Sequence, residues 1–338
     1  MKAARRAPVE RTPIWLMRQA GRYLPEYRRL RRQVSFHELC GNPALCAEVM
    51  LQTVERLGVD AAILFSDLLL ILEPMGLPVK YTAGDGPILR GAIRSAAEVD
   101  RLVELEELDR LGHVFEAVRR TREGLDSRLP LIGFAGAPFT LAAYAIEGGT
   151  SRDYRHAKRL MHADPGAWNA LMQRLARAVA KYLRGQIDAG AQLVQLFDSW
   201  AGCLGPDDYR RYVLPHSAAV IAAMPPGVPV IYFATGNPEL APLLSEALGE
   251  RPDGVVGLDW RVRLDEAWRR IGPGRAVQGN LDPAVLLTDP ATVRAAAHAI
   301  LDQAAGRPGH IFNLGHGVLP ETPLENVLAL VRAVREWH

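Results

Sequence analysis

Residues 164–202 read DPGAWNALMQRLARAVAKYLRGQIDAGAQLVQLFDSWAG. Asp164 can cap the free amides of a helix start while Pro165 takes the first helical position, where a missing N–H costs nothing. Ala167–Ala189 then reads as helix. Leu193–Phe197 is short and apolar without alternation, the pattern of a strand buried on both faces. The same unit recurs outward from here. Strands are expected at Ala61–Phe65, Leu131–Phe134, Val228–Phe233, Val255–Leu258, Ala276–Gln278 and His310–Asn313, and a further helix at Pro43–Arg56. Asn42-Pro43, Asn237-Pro238, Asp282-Pro283 and Asp289-Pro290 repeat the capping step. Strand–helix alternation of this kind builds a parallel sheet. Seven strands are legible where a closed barrel needs eight. Val79–Ile93 reads as a hairpin rather than a barrel strand, so a doubly wound open sheet stays as the alternative.

The chain has 338 residues, 49% apolar and 23% charged. That is enough to bury a large core without disulfides or structural metal. No linker, repeat or charge block divides it, so one domain over residues 1–338 is the simplest expectation. The net charge is +2, and only four of the 40 basic residues are lysines. No global basic field argues for nucleic acid. Cys40, Cys46 and Cys203 form no CxxC pair, which fits a reducing compartment. The N-terminus lacks the apolar core of a secretory signal, and no apolar run reaches the roughly 18 residues of a membrane span. A cytoplasmic protein is expected.

Arg18, Arg22, Arg28, Arg29, Arg31 and Arg32 crowd into MRQAGRYLPEYRRLRR. Arginine suits fixed, bidentate binding of carboxylates or phosphates. Arg28, Arg29 and Arg32 read as a solvated helix face, whereas Arg18 and Arg22 follow the apolar Ile14–Met17, where an unpaired cation is costly. An anion site and a plain basic face both remain open. Asp67, in ILFSDLLL, falls just past a strand, where barrel enzymes place catalytic groups; it could equally cap the following turn. Ser199 and His316 also follow strands. No GxSxG surrounds Ser199, and a lone His among glycines is more often structural. Gly133–Gly149 lacks the GK[ST] of a P-loop and the spacing of GxGxxG. The nine histidines form no HExxH, and the last cysteine is Cys203, far from His316. No metal site is expected. The residues alone reach an α/β enzyme that binds a polyanion, with Asp67 in an apolar pocket.

TPIWLMRQAGRYLPEYR at 12–28 and GFAGAPFTLAAYAIEG at 133–148 closely resemble two signatures of the uroporphyrinogen decarboxylase family. FSD at 65–67, FDSWAG at 197–202 and NLGHGV at 313–318 resemble further family segments in the expected order. The resemblance implies a single distorted (β/α)8 TIM-type barrel, usually homodimeric, with a deep cleft at the strand C-termini. It implies removal of CO2 from the four acetate arms of uroporphyrinogen to give coproporphyrinogen. No cofactor is implied, because a ring-protonated pyrrole is itself the electron sink. By motif match, Arg18, Gln19, Arg22 and Arg31 bind substrate, together with Asp67, Tyr144, Ser199 and His316. Asp67, Arg18 and Tyr144 are the expected catalytic residues: Asp67 faces the pyrrole N–H groups, and Arg18, Tyr144 or a bound water donates the proton. Where the family pattern reads FESHAG, this chain has FDSWAG, with Trp200 in place of His. Two other readings are a zinc-dependent methyltransferase of the same barrel superfamily and a porphyrinogen carrier without turnover.

Overall fold

The computed structural model describes residues 1–82 and 86–337. Seven strands form one parallel sheet: β1 (Ala62–Ile63), β4 (Leu131–Gly136), β5 (Leu193–Asp198), β6 (Val230–Ala234), β7 (Gly254–Gly257), β8 (Ala276–Gln278) and β9 (His310–Ile311). They pair in chain order, with helices crossing between them, so the sheet curls in one direction. Nearly every residue of these strands is buried, as their unalternating apolar runs require. β2 (Val79–Thr82) and β3 (Gly86–Leu89) make the expected antiparallel hairpin, whose turn lies outside the described residues.

The capping steps hold. The side chains of Asn42, Asp164, Asn237, Asp282 and Asp289 each accept backbone N–H bonds from the turn they open. Each cap stabilises its helix start by about 1 kcal/mol.

The eighth position is filled from the N-terminus. Ile14 bridges Phe312 in parallel. The Phe312 N–H donates to the Pro13 carbonyl at 2.8 Å, and on the other side the Asp60 N–H donates to the Ile14 carbonyl at 2.8 Å. Arg11 clamps Asp60 at 2.6 and 2.8 Å, and the same carboxylate accepts the Ile14 N–H. Residues 13–15 thus lie between β9 and β1. Their pairing is one bridge rather than a ladder, so the barrel is distorted and incompletely closed by strand pairing. Pro13 has no N–H to extend it. Side chains inside the barrel supply what the ladder does not. The Trp15 indole donates to Gln278 at 3.0 Å, Gln278 to Gln195 at 3.1 Å, and Gln195 contacts the Met17 sulfur at 3.5 Å. No helix among the described residues is long and apolar enough to cross a membrane.

Candidate active site

The N-terminal stave turns sharply at Leu16–Gln19, and the turn is braced from every side. The Gln19 N–H donates to the Leu16 carbonyl at 3.0 Å, and the Gln19 side chain accepts the Leu16 N–H and donates to the Ala61 carbonyl, both at 3.1 Å. The Met17 N–H donates to Asn313 Oδ1 at 3.0 Å, and the Met17 carbonyl accepts the Val318 N–H at 2.9 Å. These bonds hold Arg18 at φ +58°, a left-handed conformation that a non-glycine residue adopts only when its surroundings impose it. Gln19 is fully buried and its side chain is engaged by backbone. The structure therefore makes it a brace for Arg18 and does not bring its amide into the cleft.

The glycines of NLGHGV follow from the same geometry. A Cβ on Gly315 would lie 2.9 Å from the Asp259 carbonyl carbon and closer still to the Trp260 nitrogen. One on Gly317 would lie 2.6 Å from Arg18 Cγ and 3.0 Å from Arg18 Cβ. The Arg18 stem runs over bare backbone because nothing else would fit beneath it.

Asp67 follows β1 and caps the turn after it. Oδ1 accepts the Leu69 N–H at 2.7 Å and so starts the turn into Leu70–Leu72. Burial raises its pKa; Tyr81, the Leu69 N–H and Arg18 oppose that by favouring the carboxylate. Tyr144 sits on helix Pro138–Glu147, with the Trp200 ring edge-on at 5.7 Å. Burial and the neighbouring Asp67 push its phenol up, while Arg18 pulls it down. His316 accepts the Gly317 N–H through Nδ1 at 2.7 Å, which assigns its own proton to Nε2. Burial, then Arg18 and Arg261, push His316 down to about 4, so it is neutral at pH 7.

Arg18 is the common neighbour. Its side chain is open to solvent, and it interacts with Asp67, Tyr144, His316 and Arg22. Burial and Arg22 lower its pKa. Arg22 is exposed, and neither arginine forms an ion pair among the described residues. Ser199 is half-buried just past the end of β5. Arg31 sits farther out: its guanidinium donates to the Val34 carbonyl and lies 5.9 Å from the Phe36 ring, which in turn meets Tyr81 at 5.2 Å. Arg28, Arg29 and Arg32 are exposed.

Two features escaped the sequence reading. Asp198, the last residue of β5, is fully buried; its oxygens accept from Thr140 at 2.8 Å and Tyr232 at 2.9 Å, and burial pushes it up to about 6. The Trp200 N–H donates to the same Thr140 hydroxyl at 3.3 Å, so this network seats the loop carrying Ser199 and Trp200. The FDS segment placed an acid at a strand end, but only its serine was weighed. The other feature is Arg261, which follows β7 and reaches Asp259 at 2.6 Å.

Among the described residues, no group of three or more His, Cys, Asp or Glu could hold a metal ion. Burial pushes the free thiols up, Cys203 to about 11 and Cys46 to about 12, so they are protonated at neutral pH.

Residues 1–337 match the family model described as uroporphyrinogen decarboxylase. The chain belongs to that family. It is 51% identical to the uroporphyrinogen decarboxylase of Sorangium cellulosum over 99% of this chain and 95% of that protein. Identity to the uroporphyrinogen decarboxylase of Roseiflexus sp. is 50%, over 100% and 97% of the two chains. Among solved structures, a methyltransferase from Methanosarcina mazei superposes with a TM-score of 0.77 at 20% identity, covering 99% of this chain and 96% of that one. At that identity the likeness is one of fold, and with the curled parallel sheet it supports a TIM-type barrel.

Proposed function

We propose that this chain is a cofactor-independent carboxy-lyase of porphyrin biosynthesis, converting uroporphyrinogen III into coproporphyrinogen III and CO2. The observation that carries the reading is Asp67. The Leu69 N–H holds one of its oxygens at the C-terminal end of β1, and Tyr81, Arg18 and Tyr144 interact with its charge.

The substrate offers eight carboxylates and four pyrrole N–H groups. Protonation of a ring carbon beside an acetate arm gives a cationic ring. The bond between the arm's methylene and its carboxylate then breaks, CO2 leaves, and the electron pair neutralises the ring. A second proton turns the resulting exocyclic methylene into a methyl, and the ring carbon returns its own. Asp67 accepts pyrrole N–H bonds and stabilises the cation in a cleft of low dielectric. Arg18 and Arg22 hold carboxylates, His316 and Arg31 meet peripheral ones, and Tyr144 and Ser199 hydrogen-bond the reacting arm. Gln19 acts through the conformation of Arg18. Of the two side chains proposed as proton donor, Arg18 is shifted towards release and Tyr144 away from it. The free thiols fit a cytoplasmic location, and the family resemblance supports a homodimer of single-barrel subunits.

The test is an anaerobic assay with uroporphyrinogen III in chelator, without added coenzyme, scored for stepwise loss of carboxyl groups. Four losses ending at the tetra-acid are expected. Activity lost on chelation and restored by zinc would point to the methyltransferase chemistry. Binding without turnover would leave a carrier.

A further inference from the structure

We propose that Arg261 is a second carboxylate anchor, set across the barrel mouth from Asp67, and that it holds a propionate arm of the macrocycle. This deepens the function proposed above and rests on it. β1, which leads into Asp67, and β7, which leads into Arg261, are four places apart in the strand order β1-β4-β5-β6-β7. With residues 13–15 as the eighth stave, four places is half of the circuit.

The bland account of Arg261 is that it neutralises Asp259. That carboxylate is well supplied without the guanidinium: it is 4% exposed and accepts the Gly236 N–H at 2.7 Å, the Thr235 hydroxyl at 2.9 Å and the Arg261 backbone N–H at 3.0 Å. The guanidinium adds one bond at 2.6 Å through Nη1, which also reaches the Thr235 hydroxyl at 3.2 Å. No partner occupies Nε or Nη2 among the described residues, and the side chain is 42% exposed. The guanidinium carbon lies 4.0 Å from the centre of the Trp260 ring. A guanidinium stacked on an indole and tethered at one corner has lost most of its rotamer freedom. The edge that remains, Nε–H with Nη2–H, is the fork that grips a carboxylate side-on.

The place of this fork names its ligand. Trp260 also meets His316, with ring centres 6.5 Å apart, and His316 feels both Arg18 and Arg261. The imidazole therefore neighbours two guanidiniums, Arg18 beside Asp67 and Arg261 on the strand half a circuit away. Half a circuit of the barrel separates the strands that lead into Arg261 and Asp67, so a carboxylate bound here is away from the reacting arm. The propionates are the arms that the reaction leaves intact, so an anchor that serves every decarboxylation grips one of them each time. The Arg261–Asp259 pair is neutral as a unit, so it offers directed donors rather than net charge, which Arg18 and Arg22 supply.

The experiment compares wild type, Arg261→Gln and Arg261→Lys. Gln keeps a donor for Asp259 while removing cation and fork; Lys keeps the cation and loses the fork, and it decides the case if the Gln variant fails to fold. Three quantities are read: steady-state kinetics with uroporphyrinogen III, inhibition by coproporphyrinogen III, and melting temperature. We expect KM to rise about tenfold with kcat within twofold, the pattern of binding shared by ground and transition states. The inhibition constant of the tetra-acid product should rise by a similar factor, because the product retains the propionates. KM and product inhibition both within twofold of wild type would reduce Arg261 to a tie for Asp259. A raised KM with unchanged product inhibition would overturn the propionate assignment. A wild-type chain that does not turn over uroporphyrinogen would sink the function itself, whereas an active wild type with unaltered variants sinks this inference alone.

Discussion

Replacing Gly317 with alanine tests the seat of Arg18 without touching any charged group. The added methyl would stand 2.6 Å from Arg18 Cγ and 3.0 Å from Arg18 Cβ. Carbon atoms pack comfortably at about 3.5–4.0 Å, so the arginine stem must retreat by about 1 Å. Gly317 is not among the glycines of positive φ, so its backbone accepts alanine and the clash is confined to the stem. The Arg18 backbone is pinned on both sides by Gln19 and Met17, so the side chain has to leave its rotamer. A misplacement of about 1 Å at a positioning group costs roughly 10²-fold. A second route agrees: losing a charge-assisted bond of about 1.5–3 kcal/mol lowers the rate by roughly 10- to 150-fold. We therefore expect kcat/KM for uroporphyrinogen III to fall by roughly two orders of magnitude while the melting temperature moves by only a few degrees. Gly112→Ala is the control, since that glycine has φ −55° and open space around it. Adding Gly317→Ala to Arg18→Ala should cost little beyond Arg18→Ala alone, because both act on one side chain. A Gly317→Ala enzyme within threefold of wild type would show that the position of Arg18 over this glycine is irrelevant to turnover.

Asp67→Asn keeps an oxygen for the Leu69 N–H and should melt normally, with kcat lower by about 10²–10³; a kcat within threefold of wild type would remove Asp67 as the stabiliser of the cationic ring. Arg18→Ala and Arg22→Ala should each reduce kcat/KM tenfold or more, at about 1.5–3 kcal/mol per charge-assisted bond, while Arg29→Ala changes little; equal small effects at all three would make the cluster a solvated face. His310 is buried and pushed down to about 4, with Nε2 on the Gly279 carbonyl. Its folded pKa lies below the unfolded value of about 6.5, so its contribution is complete above that value and is lost as pH falls towards 4. The stability advantage of wild type over His310→Gln, followed as melting temperature from pH 7 to 4.5, should therefore shrink on acidification; a constant difference would mean that His310 titrates alike in the folded and unfolded states.

The strands were legible because burial on both faces leaves no room for polar alternation, and the helix starts because Asx-Pro satisfies a local need. Those are short-range demands that seven segments meet independently. Residues 13–15 escaped notice because they are held by one bridge and by the indole of Trp15 on Gln278, bonds between positions far apart in the chain. Asp67 was legible as a carboxylate among leucines, but its partners were not all local: the Leu69 N–H that it caps lies two residues on, whereas Tyr81 and Arg18 come from distant segments. Gln19 was selected with its motif; its actual partners, the Leu16 N–H and the Ala61 carbonyl, are set by the turn. Tyr232 sits inside an apolar run, and nothing local marks it as the partner of Asp198.

The seam between residues 13–15 and β9 also sets a timetable. The bond from the Met17 N–H to Asn313 joins positions 296 apart. Chains are synthesised at about 5–20 residues per second, so the first stave waits roughly 15–60 s for its last neighbour to emerge. Throughout that interval Ile14–Met17 has no Phe312 to pair with, and the outer edge of this stave, beyond β1, is an open edge of the kind that invites other strands. The bond that braces the Arg18 turn from the C-terminal side therefore cannot form until residue 313 has emerged. A nascent chain stalled before residue 313 can hold most of the barrel and still have no place to put Arg18.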